Sequence, residues 1–446
     1  MLKIKGSQDA ISNDLLLWSG VKTQVAVQEV YSIKVHPVSS QLNDGSAMSF
    51  NIPSQAKAML SKVEIFTSFK VKKGDNNLTT EDSVSIINNI ANAMFGLVQI
   101  SINDRTELCQ SMRNSYAYQT YFDYCLNCDL DRSDYLNAVS AFVMDSGVTK
   151  ADAETMVFSG DGVKNKGAAK RAQRIAGSKT VTVCTPLHNP LFTTSKALPT
   201  NMKIRISLTK NNDSFLLLAD SDAYNIKITD IYLKATFLRP NDIFLNLIEE
   251  RLAKEAASYF ITRPELILKP ISESGRILRL NNLFSDGRLP KTAFFAIQRS
   301  KDFSGSSITN PYTFIPFGSF NLHVNGVPHF ADPLETNYET KDGQKIYGDC
   351  WNFLKQLYEV IDKDKKGAGM INSTNFQQNF MVGVSLASDR SGITAGYLNQ
   401  QMHASTNLTI DLGYDLNIAE DLLLLIFCHW DRVVKISGTR EVEIIE

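Results

Sequence analysis

Three short patterns in this 446-residue sequence carry residue types that chemistry uses. Cys125 and Cys128 stand at C-x-x-C spacing, half of a tetrahedral zinc site. A closed site needs four ligands, Cys109 is the only nearby thiol, and His36, His188, His323, His329, His403 and His429 are scattered along the chain. The pair therefore reads as ordinary helix cysteines. Asp362-x-Asp364-x-Lys366-Gly367 imitates the opening of a calcium loop, glycine at the sixth place included. Lys366 and Ser373 occupy the fifth and twelfth places, where an oxygen ligand and a bidentate Glu belong, so the pattern reads as a charged surface turn. Gly162 and Gly167 have P-loop spacing, but Ala168 and Ala169 replace the phosphate-binding Lys and the Mg²⁺-binding Ser/Thr. No catalytic residue, metal or cofactor follows from the sequence.

One cluster remains as a functional lead. Lys164, Lys166, Lys170, Arg171 and Arg174 gather five cations in eleven positions, and they are candidate nucleic-acid-binding residues, each able to meet a phosphate. A solvated loop or a contact between subunits accounts for the same residues, and the sequence leaves both readings open. The aromatics Tyr116, Tyr121 and Tyr124 resemble a stacking platform, but their spacing fits packed core.

The elements that must position these residues are mostly strands. Hydrophobic content of 43% and charged content of 21% are those of a folded protein, and 446 residues suit two or three domains. A net charge of -1 supplies no global basic field to draw in nucleic acid or an anionic membrane. The opening residues lack the apolar core of a signal peptide, and no run reaches the length of a membrane span. Six cysteines without a secretory signal imply reduced thiols.

Residues 21–35 and 63–71 alternate apolar and polar side chains at period two, as half-buried strands do. Apolar positions in NIKITDIYLKATFL (225–238) switch from even to odd, which predicts a bulge near Asp230. Helices are expected over 114–128, after Ser133, over 241–257 and over 346–361, and residues 145–178 read as an exposed excursion with a short helix. Asn325-Gly326 supplies the positive φ angles of a tight hairpin turn.

FGLVQISIND (95–104) and FGSFNLHVNG (317–326) share one pattern 222 positions apart, which suggests an internal duplication. A second echo, IRISL at 204–208 against VGVSL at 382–386, is offset by 178 and would give the first half about 44 extra residues. Some eight strand candidates per half, with long excursions, define the expected fold class: all-β with inserted helices, two jelly-roll β-barrels or sandwiches in tandem. The expected division is 1–238 for the first jelly roll with a helical, basic excursion at about 114–178, 239–257 for a helical connector, and 258–446 for the second.

Three blocks in order, CTPLHNPLF with the later LPTNMKIRISLTKNNDSFLL, then LNNLFSDGRLPKTAFFAIQRSKDFSGSSITNPYTFIPF, then HVNGVPHF, resemble the double jelly-roll major capsid proteins of the Maverick/Polinton and adintovirus type. The resemblance spans roughly residues 85–390 and implies a structural protein of a DNA virus. In that family three chains form a pseudo-hexameric homotrimer, and the trimers tile an icosahedral capsid. It implies that the chain's partners are copies of itself, a separate vertex (penton) protein and packaged DNA, with the virion as its location. A glycan- or receptor-binding β-sandwich, or a capsid gene retained by a host, would show the same absence of catalytic residues. A cupin-type enzyme would need clustered His and carboxylate ligands, and that spacing is missing.

Overall fold

The structure is a computed structural model that describes residues 23–39, 41–43, 45–103, 112–128, 132–146, 150–271, 276–284, 287–335, 338–339, 345–346, 370–371, 379–389, 398–399, 402–412 and 421–445. The expected helix at 346–361 and the calcium-like turn at 362–373 lie outside these residues, apart from Ile346 and residues 370–371.

Period-two alternation produces the longest strands. Met59–Lys73 buries Val63, Ile65, Thr67, Phe69 and Val71 on one face and turns Lys62, Glu64 and Phe66 outward. Its partner Tyr224–Pro240 changes its buried parity between Ile228 and Asp230, where the register against Met59–Lys73 shifts. The bulge keeps both halves of this 17-residue strand facing the same core.

The two halves repeat one topology. In the first, a sheet runs in the order Val27–Val35, Tyr224–Pro240, Met59–Lys73, Val181–Pro186, all antiparallel. In the second, Ala257–Ile271, Leu422–Ile436, Thr292–Arg299 and Val382–Ser385 take the same places. The opposing sheets correspond as well, Ala47–Ile52, Ile204–Lys210, Phe95–Ile102 matching Ile277–Asn281, Thr406–Asp411, Ser319–Val324. Strands adjacent in space are distant in sequence, the Greek-key signature of a jelly roll. Pro264 and Pro270 are tolerated in Ala257–Ile271 because it is an edge strand.

The duplication extends to single hydrogen bonds. Asn103 and Asn325 both adopt positive φ, 49° and 52°. The amide of Asn103 donates to Lys203 O at 2.8 Å while its Oδ1 accepts from Lys203 N at 2.8 Å; Asn325 makes the same two bonds with Ser405, both at 2.9 Å. Asn325-Gly326 closes a two-residue hairpin, with Val324 opposite Val327. The second sequence echo is a false one. Ile204–Lys210 corresponds to Thr406–Asp411, whereas Val382–Ser385 corresponds to Val181–Pro186. From Asn103 to Lys203 the chain advances 100 positions and from Asn325 to Ser405 it advances 80, so the first half carries about 20 extra residues here, not 44.

The apolar runs at 421–429 and 432–444 read in sequence as two separate strands, and 214–219 as one strand throughout; both expectations change. Leu422–Ile436 is one strand of 15 residues, and only Val442–Ile445 follows as a separate one. Residues 214–219 begin as a helical turn, Asp213–Leu216, before the short strand Leu217–Ala219.

Candidate functional site

The five basic residues sit on and beside the helix Lys166–Ile175, and the structure does not gather them into one face. Asn165 caps this helix, its Oδ1 accepting from Ala168 N at 3.0 Å. The helix packs inward through Gly167, Ala168, Ala169, Arg171 and Ile175, so the short helix of the expected excursion belongs to the core and is not exposed as a whole. Gly167 explains the P-loop-like spacing by packing alone. A Cβ there would lie 2.2 Å from Met144 O.

Arg171 has no exposed surface. Its Nε donates to Ile86 O at 2.8 Å, one terminal nitrogen donates to Val143 O, and the other meets Asp145 Oδ1 at 2.5 Å. The Asp145 carboxylate also accepts from Asn165 Nδ2 and, across the boundary between the halves, from Asn310 Nδ2, both at 2.9 Å. A buried guanidinium requires such a set, since an unpaired buried charge costs several kcal/mol. Arg171 therefore cannot meet a phosphate, which corrects its place among the nucleic-acid candidates. Arg174 donates to Asn137 O and Oδ1 at 2.7 and 2.8 Å, and Lys164 pairs with Asp152 at 2.9 Å. Lys166 and Lys170 face solvent. Asp145, Asn165 and Asn310 carry no motif that marks them in sequence.

The aromatic segment forms the helix Ser115–Asn127, which joins the halves. Tyr121 stacks on Tyr312 at 4.1 Å between ring centroids, and Phe122 stacks on Phe314 and Phe427 at 5.4 and 5.3 Å. Gln298 Nε2 donates to the Tyr118 hydroxyl at 2.8 Å, which donates to Pro311 O at 3.0 Å. Burial holds the Tyr118 and Tyr121 phenols far above their usual range, so they stay neutral and act as packing with a hydrogen-bond handle. Cys125 is buried in this helix, and burial pushes its thiol up, away from the thiolate that a metal would need. Among the described residues, no three His, Cys, Asp or Glu side chains stand together as a metal site would require.

A crevice of about 300 Å³ opens along the seam between the halves. Gln119, Asp123 and His188 line it from one side, and Phe260, Thr262 and His429 from the other. His188 Nδ1 lies 3.1 Å from Asp123 Oδ2, and the ring abuts Tyr124 edge-on. His429 is buried with Nδ1 2.9 Å from Thr292 Oγ1; burial lowers its pKa from the usual 6.5 to about 4, so it is neutral near pH 7.

These features define a class by fold: two jelly rolls of equal strand order, joined by the helix Ser115–Asn127 and by the hydrogen bond from Asn310 to Asp145. Comparison with solved structures gives the same answer over the whole chain. A protein of the Sputnik virophage matches with a TM-score of 0.63 and 12% identity, covering 98% of this chain and 93% of that one. The mavirus major capsid protein matches at 0.56 and 11%, covering 100% and 96%, and the Faustovirus major capsid protein at 0.58 and 7%, covering 95% and 93%. The chain thus has the double jelly-roll fold of viral major capsid proteins, the fold that the Maverick/Polinton resemblance implies. By sequence, an uncharacterised protein of Caenorhabditis elegans is 22% identical over 308 residues, 67% of this chain and 69% of that protein. No family model matches the sequence.

Proposed function

We propose that the chain is a major capsid protein that self-assembles through pseudo-hexameric homotrimers into an icosahedral virion shell. The observation that carries this reading is the repetition of one jelly roll within one chain, down to the paired Asn103 and Asn325 hydrogen bonds. Three copies of a two-barrel chain present six similar barrels, so threefold symmetry approximates sixfold packing and the trimers can tile a lattice. A six-lobed unit does not fill a fivefold vertex, so the shell needs a separate vertex protein. We divide the chain accordingly into a first jelly roll (1–238), a connector (239–257) and a second jelly roll (258–446). The role is structural and non-enzymatic, and the protein resides in the virion. Contact with packaged DNA through the helix Lys166–Ile175 rests on Lys166 and Lys170, which are exposed.

Electron microscopy of the purified protein tests the reading. Particle averages should show threefold units with six lobes, whereas isolated two-lobed particles at all concentrations would overturn autonomous trimerisation. A match between the two lobes of each chain is required in either case, so the fold and the assembly are judged separately.

A further inference from the structure

The two jelly rolls differ in what lies over their outer sheet faces. In the second, Pro264, His429, Thr292 and Ser385 form a row of register partners across four strands. His429, Thr292 and Ser385 are buried, and the first jelly roll lies over this face. Phe122 stacks on Phe427, which shares a face with His429 two positions on, while Asp123 and His188 line the crevice together with His429.

In the first jelly roll the corresponding row is His36, Tyr232, Phe66 and Cys184. Phe66 is the register partner of Tyr232 on one side and of Cys184 on the other, and the His36 ring lies 5.9 Å from that of Tyr232. The correspondence holds at both ends of the row. Tyr31 and Ile33 precede His36 by five and three positions, as Tyr259 and Ile261 precede Pro264, and Val181, Val183 and Cys184 match Val382, Val384 and Ser385. The first row, however, is open. His36 is exposed, and Tyr232, Phe66 and Cys184 are only half-buried. Phe66 and Tyr232 stack at 4.9 Å with their planes 7° apart, and Lys34 sits over the Tyr232 ring at 4.7 Å. Lys62 and the pair Glu64–Lys234, 3.3 Å apart, surround them on the same face. An aromatic centre with a charged rim is the makeup of a protein–protein contact.

We propose that the face centred on Phe66 and Tyr232 receives the second jelly roll of a neighbouring copy of this chain. The inference rests on the capsid reading and names the surface which that reading needs. Within a chain the first barrel covers the outer sheet of the second; between chains the second barrel of one copy covers the outer sheet of the next copy's first barrel. One kind of heterologous contact, alternating within and between chains, closes three copies into a ring of six barrels.

The test compares the full wild-type chain with Phe66→Glu and Tyr232→Glu together, by light scattering over a concentration series. The double variant should weaken trimer formation about a hundredfold or more, with its circular dichroism unchanged. A trimeric wild type whose double variant is equally trimeric overturns this inference and leaves the capsid reading standing; a wild type that stays monomeric overturns both. Because two glutamates also alter the sheet itself, a second measurement keeps the wild-type sequence. Trimers co-assembled from unlabelled and isotope-labelled chains are treated with a lysine-reactive cross-linker and digested for mass spectrometry. Cross-links of mixed label from Lys34, Lys62 or Lys234 to lysines of residues 258–446 are the expected result, and mixed-label cross-links confined to other lysines contradict the proposal.

Discussion

Arg171 shows how a residue's type and its role can part company. Its position in a run of cations reads as phosphate chemistry, yet its guanidinium spends its donors on Ile86 O, Val143 O and Asp145. Arg171→Met should cost about 3–5 kcal/mol, because Asp145 is left buried without its cation. Denaturant titration measures that loss, and Lys170→Ala in the same helix should stay within about 0.5 kcal/mol. His429 gives a pH prediction. Its folded pKa of about 4 lies below the ordinary 6.5, so between those values the unfolded chain binds the extra proton. Its contribution to stability is complete above pH 6.5 and is lost as pH falls toward 4, by up to about 3 kcal/mol. Melting curves from about pH 7 to 4 should show this slope, and His429→Gln should flatten it.

At the scale of elements, strands were legible and their excursions were not. Period-two alternation located Met59–Lys73 and Tyr224–Pro240, and the parity switch located the bulge, because one face of each strand is wet. Leu422–Ile436 hid its full length because most of it is buried on both faces, which erases the alternation. The false echo of 204–208 with 382–386 has a related cause. Short β-rich strings look alike, and only the pairing partner tells one strand position from another. A short helix was expected within the excursion, but the burial of Lys166–Ile175 was not legible, because its buried side includes Gly167, Ala168 and Ala169, which carry little hydrophobic signal. That small side is what lets the helix approach Met144. Gly167→Ala should therefore destabilise by about 1–3 kcal/mol through overpacking, despite alanine's better helix propensity. The exposed Gly162, whose nearest prospective neighbour is a Val157 methyl at 3.5 Å, should accept alanine with little change in thermal midpoint.

For the whole molecule, the two barrels share one seam and together make the tile that the capsid reading needs. The seam is aromatic and hydrogen-bonded, through Tyr121 on Tyr312, Phe122 on Phe427 and Asn310 on Asp145. Phe122→Ala, which empties a site at the centre of that seam, should cost about 3–5 kcal/mol and lower unfolding cooperativity, visible as a broadened calorimetric transition. The duplication behind the tile was visible in two ten-residue strings, whereas the seam was not, since its members come from segments far apart in sequence, Asp145 and Asn310 by 165 positions. Assembly in threes is the central claim for this tile. Light scattering coupled to size exclusion, at low and high salt, measures it directly. A stable species near three times 49.7 kDa, or larger shells built from it, is the predicted result; a monomer that persists across concentration and salt would contradict it.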